Sequence, residues 1–83
     1  MSAGAIVVAT LAKGDGEVRV TLDEYRGCQT IDVRLFEPFT AAKVPMATKR
    51  GITLALARLP ELARALASAE AKARELGLIG GDE

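Results

Sequence analysis

The chain has 83 residues, with eleven basic and eleven acidic side chains, so its formal net charge at pH 7 is zero. One cysteine and no histidine exclude an intramolecular disulfide and a Cys/His zinc centre. A hydrophobic content of 49% excludes a disordered chain, and the length gives one small domain, residues 1–83, whose monomer would bury only about 60% of its unfolded surface.

In chain order, Ala5–Ala12 (AIVVATLA) is rich in β-branched residues and reads as a strand. It is too short to span a bilayer and has no basic segment before it, so it reads neither as a membrane anchor nor as a signal peptide. The expected location is cytoplasmic, with nucleoid association open. Lys13-Gly14-Asp15-Gly16 is a turn, with Asp-Gly as its hairpin signal. Glu17–Tyr25 is the second strand, Arg26-Gly27-Cys28 the next turn, and Gln29–Glu37 a third strand with clear period-two alternation. The prolines at 38 and 45 mark Pro38–Thr48 as a loop, and Lys49–Thr53 is a short last strand. Close spacing predicts an antiparallel meander. From Ala57 to Leu76 the period becomes helical, with Leu59, Leu62, Leu66, Ala69, Ala73 and Leu76 on one stripe. Pro60 suits the first turn and Gly77 the stop. The helix is long for so small a sheet, and the excess reads as a dimer surface. The core is placed at 5–76, and residues 77–83 are expected to be flexible.

Alternation divides the central strands into two faces. Val18, Val20, Leu22, Ile31, Val33 and Leu35 form an apolar one, and Arg19, Thr21, Arg34 and Phe36 the other. Cations with an aromatic on an exposed sheet suit single-stranded nucleic acid, because the cations neutralise phosphates and the ring stacks on bases. Asp32 reads as the partner of a cross-strand arginine such as Arg19 or Arg34. From Lys13 to Gly51 the basic residues outnumber the acidic ones by one, so any basic patch must be sorted in three dimensions. Without histidine, a nucleophile constellation or a nucleotide fingerprint, no enzyme, metal site or cofactor is expected. Cys28 has no second cysteine beside it and reads as inert.

Four segments in this order, VRVTLDEYRG, IDVRLF, KRGITL and LPEL, resemble the C-terminal single-stranded-DNA-binding domain of the transcriptional positive cofactor four (coactivator) family over Val18–Leu66. The resemblance implies an α+β fold: a curved four-stranded antiparallel sheet, then one long C-terminal helix (β-β-β-β-α), in a homodimer. It implies binding of single-stranded DNA with little sequence preference, a role in transcription or in handling unwound DNA, and contact with transcription machinery. RNA stays open as a ligand. Tyr25, Arg26, Arg34, Lys49 and Arg50 match the family's aromatic and basic positions. Phe36 and Arg19 join them from the face pattern, and Gly51 is expected to let a phosphate approach closely. Tyr25 also suits a core-capping role, and Lys49–Arg50 a solvated turn. Leu59, Leu62, Leu66, Ala69 and Ala73 are the expected dimer contacts. Two positions depart from the pattern: Glu37 stands where a tryptophan is usual, and Cys28 where a basic residue is usual. Phe36 or Phe39 could supply the missing ring. The form expected is a compact prokaryotic or phage-type version. The alternative is a protein-interaction or dimerisation module that has lost nucleic-acid binding.

Overall fold

A computed structural model describes residues 5–39 and 43–80. Four strands, β1 (Ile6–Lys13), β2 (Gly16–Tyr25), β3 (Cys28–Pro38) and β4 (Pro45–Ala55), form one antiparallel sheet in the order β1-β2-β3-β4. A 3-10 turn (Leu56–Arg58) leads into helix α1 (Leu59–Glu75). The α+β meander expected from the sequence is therefore present.

Several boundaries differ, each for a local reason. The first hairpin turns on Gly14-Asp15, because Lys13 already pairs with Gly16. Gly14, with φ of 58°, holds the left-handed position, so Asp-Gly is not the central pair. The second turns on Arg26-Gly27 between the paired Tyr25 and Cys28, with both φ values positive at 53° and 82°. The two-residue turn lets β3 begin at Cys28. Within the stretch expected to be a loop, Pro38 and residues 45–48 are strand, since β3 runs to Pro38 and β4 starts at Pro45. Pro38 pairs with Pro45 at the far end of the ladder, where strand-terminal prolines deprive the sheet of little. Of that expected loop, residues 40–42 lie outside the described residues.

Helix α1 starts with proline in its first turn. It ends in a Schellman motif, where Leu78 N–H donates to Ala73 O at 2.8 Å and Gly77 N–H to Arg74 O at 3.1 Å. Arg74 Nη1 also donates to Gly80 O at 2.7 Å. Residues 77–80 are thus tied back to the helix, and 81–83 lie outside the described residues.

The pairing Val18↔Leu35, Val20↔Val33 and Leu22↔Ile31 puts the expected apolar residues on one face. β1 adds Ile6, Ala9 and Leu11, opposite Leu22, Val20 and Val18, after an irregularity between Val7 and Ala9. β4 adds Ile52 and Leu54. Yet only Ile31 (3% exposed) and Leu35 (7%) are buried hydrophobics. α1 makes no extensive contact with any strand. Near its start Leu62 and Ala65 share a depression with Leu54, and beyond that the helix runs clear of the sheet. The accessible surface is 6414 Å², against about 4,700 Å² expected for a compact monomer of this mass. The radius of gyration is 15.1 Å, against roughly 12 Å for a closed domain of this length. One copy of the chain leaves its apolar face largely uncovered.

Candidate nucleic-acid interface

The opposite face forms a shallow trough of about 460 Å³. Its floor is built in rows that cross the strands. Thr21, Asp32 and Thr53 make one row, Arg19, Arg34 and Gly51 the next, and Glu17, Phe36 and Ala47 the third. Val7 of β1 lines one side and Tyr25 one end. Alternation along β2 and β3 puts Arg19, Thr21, Arg34 and Phe36 on this one face, as the sequence pattern predicts, and Tyr25 joins them at its end.

Register places Arg19 directly opposite Arg34, a pairing that like charge disfavours. Each arginine is relieved by the acid two residues earlier on its own strand. Arg19 pairs with Glu17. Arg34 forms a fork with Asp32, its Nη2 donating to Oδ1 at 2.8 Å and its Nε to Oδ2 at 3.1 Å. Asp32 thus partners Arg34 along the strand and not across it. Arg34 Nη1 also donates to Thr48 O at 3.1 Å, and Nη2 to Thr53 Oγ1 at 3.0 Å. Thr53 Oγ1 in turn donates to Asp32. The Asp32 hydrogen bond, helped by its charge and opposed by desolvation, raises the Arg34 pKa above the usual arginine value. Arg34 is a fixed cation held against its own carboxylate.

The stretch carrying Lys49 and Arg50 is a bulge in β4. Arg34 pairs with Gly51 and Phe36 with Ala47, so β4 spends four steps where β3 spends two. Thr48 closes it, its Oγ1 donating to Leu35 O at 2.8 Å and accepting from Arg50 N–H at 3.0 Å. Gly51 has a packing role in the sheet. A side chain there would meet Arg34 Cα at 2.7 Å, and Val33 O closer still. Strand β3 lies close against Gly51. The bare backbone also leaves Arg34 room to reach both Thr48 and Thr53.

The basic residues do not all gather in the trough. Arg50 lines a second depression with Lys13, Val18, Val33 and Leu35, on the apolar face. Lys49 is exposed in the bulge and Arg26 at the hairpin tip, with Arg26 Cζ 5.2 Å from the Tyr25 ring centre. Arg19 Cζ lies 4.1 Å from the Phe36 ring centre, within cation–π range. Tyr25 is 64% exposed, so it does not cap a core. Glu37 alternates away from Phe36 and pairs with Met46, leaving its charge off the trough floor. Phe39, also exposed, is not among the residues lining the trough. Cys28 is free and exposed. Among the described residues no acidic or cysteine cluster could hold a metal ion. No helix among them is long and apolar enough to cross a membrane.

Sequence reading missed Thr48, Thr53 and Glu17. Period-two alternation marks Glu17 as sharing a face with Arg19. The two threonines could be found only once the β4 register was known, and the bulge sets that register.

Of the expected dimer residues, Leu66 and Ala69 are exposed, while Leu59, Leu62 and Ala73 are half-buried. No family model matches the chain, and no curated protein or solved structure matches it.

Proposed function

We propose that the chain is a single-stranded-DNA-binding protein that works as a homodimer, with little sequence preference, in transcription regulation or in handling unwound DNA. The observation that carries this reading is the trough, where Arg19 lies on Phe36, Arg34 lies beside them and Tyr25 with Arg26 stands at one end. Such a surface offers stacking planes and cations along a path a single strand can follow. Sheet-borne planes and cations recognise backbone and π-faces, which every sequence shares, so discrimination is slight and affinity falls with salt.

The dimer is supported by the uncovered face. The excess surface, about 1,700 Å² over a compact monomer, lies in the range that each partner of an obligate homodimer buries. The stripe Leu59, Leu62, Leu66, Ala69 and Ala73 supplies an apolar helix surface for that contact.

A second reading rests on a specific observation: both trough arginines already have carboxylate partners, Glu17 and Asp32. A surface neutralised in this way fits a protein-interaction or dimerisation module without nucleic-acid binding. Titration of a fluorescent 20-nucleotide single strand, followed by anisotropy at low and high salt, separates the two. Salt-sensitive binding that a matching duplex competes poorly supports the first. Absence of binding at low salt supports the second. A parallel RNA strand tests the ligand's sugar, which backbone and stacking contacts tolerate in either form.

A further inference from the structure

The two aromatic rings of the trough are not bare. Arg19 lies over Phe36 at 4.1 Å and Arg26 over Tyr25 at 5.2 Å. A base entering the trough near Phe36 therefore meets a guanidinium before it meets the ring. We infer that Arg19 is the stacking surface for a base: its guanidinium plane is the platform, Phe36 the support beneath it, and Glu17 the group that holds its edge. The inference rests on the nucleic-acid reading above and assigns a role within it.

Three observations converge on this role. First, Arg19 lines the trough while keeping 29% of its side chain exposed, although Phe36 covers one face and Glu17 takes Nε. With its Cζ over the ring and Nε on Glu17, Arg19 still keeps side-chain surface open within the trough lining. Second, Glu17 and Phe36 are cross-strand partners, so both restraints on Arg19 come from one row of the sheet. Register puts both groups within reach of the Arg19 side chain. Third, Arg19 differs from Arg34, its opposite neighbour. Arg34 makes four hydrogen bonds to Asp32, Thr48 and Thr53 and has no ring beneath it. Arg34 fixes the floor, and Arg19 is presented on top of a ring.

The chemistry suits the task. A guanidinium is planar and weakly hydrated, and it stacks on aromatic planes from both sides. Its charge is partly satisfied by Glu17, which reduces its value as a phosphate contact while leaving the π-stacking plane intact. A lysine would keep the charge and the Glu17 pair and lose the plane. Arg26, in the turn that follows β2 and seven residues beyond Arg19, makes a second cation–ring pair with Tyr25.

The test compares wild type, Arg19→Lys and Phe36→Leu on a dT strand and on the same strand with abasic sites throughout. Anisotropy is read across a salt series, and circular dichroism melts check the fold. Arg19→Lys is expected to bind dT about tenfold more weakly, as loss of one stacked base implies. The slope of log K against log salt should stay unchanged, because no charge is lost. On the abasic strand the two proteins should bind equally. Phe36→Leu should show the same dT-confined loss.

Arg19→Lys binding dT as tightly as wild type would overturn the inference and leave the nucleic-acid reading standing. An equal loss on both strands would do the same, marking Arg19 as a backbone contact. Failure of the wild type to bind any strand at low salt would overturn both.

Discussion

On one face of the sheet the charged and hydroxyl groups are tied to one another: Arg34 to Asp32, Thr48 and Thr53, and Arg19 to Glu17 and the Phe36 ring. On the other face Ile6, Leu11 and Ile52 stand 59%, 54% and 49% exposed. The same four strands make both. The polar face is complete within one chain because its partners lie two residues apart or on adjacent strands. The apolar face needs a second layer, and α1 leaves the sheet before supplying it. The comparison teaches that a face built from local pairs can be finished by one small chain. A face that depends on area needs more surface than this chain can fold back on itself.

The largest effect that would break this contrast is at Gly51, where both faces share a backbone. Gly51→Val must push Val33 and Arg34 aside and should cost about 4 kcal/mol, read as a collapse of the urea midpoint. An unchanged midpoint would show that β4 does not sit against β3 at the described register. Next comes Ile52→Asp on the open face. Under the proposed dimer it buries a charge, loses about 3 kcal/mol and shifts sedimentation to the monomer. If the face meets only water in the working protein, the change stays within about 0.5 kcal/mol.

On the finished face, Asp32→Asn removes the carboxylate beside Arg34. It should lower stability by about 1 kcal/mol and tighten oligonucleotide binding at low salt, because Arg34 loses its counter-charge. A fall in affinity would instead mean that Asp32 holds Arg34 in the productive geometry. The smallest effect is expected at Lys72→Ala. Its ion pair with Glu75 joins side chains 63% and 67% exposed, so the thermal midpoint should move by less than about 0.5 kcal/mol equivalent.

The trough was legible wherever alternation ran unbroken. Arg19, Thr21, Arg34 and Phe36 fall on one face because β2 and β3 are regular and joined by a two-residue turn. Legibility failed at the β4 bulge. Lys49 and Arg50 are adjacent basic residues before a glycine, and as a sequence they suggest one phosphate site. In the sheet Arg50 joins Lys13 on the apolar face, and Gly51 faces β3. Arg50 shares the parity of Ile52 and Leu54 and so their face, whereas the bulge adds two residues and leaves Ala47, Gly51 and Thr53 on the trough face; composition gives no sign of where such residues are inserted. The prolines misled for a related reason. They mark strand ends as readily as loops, and here they close the β3–β4 ladder.

By itself the sequence determined the order of elements, the two faces of the central hairpin and the ends of the helix. Those features depend on side-chain period, turn residues and caps, which act over a few residues. Only the tertiary structure decided the β4 register, the ion-pair partners of the two opposed arginines, the arginine layer over the aromatic rings and the exposure of the apolar face. The β4 register and the Arg19–Phe36 layer depend on pairing across strands, the carboxylate partners on side-chain placement two residues along one strand, and the open apolar face on α1 leaving the sheet. One bulge between Ala47 and Gly51 offsets the register of β4 on β3.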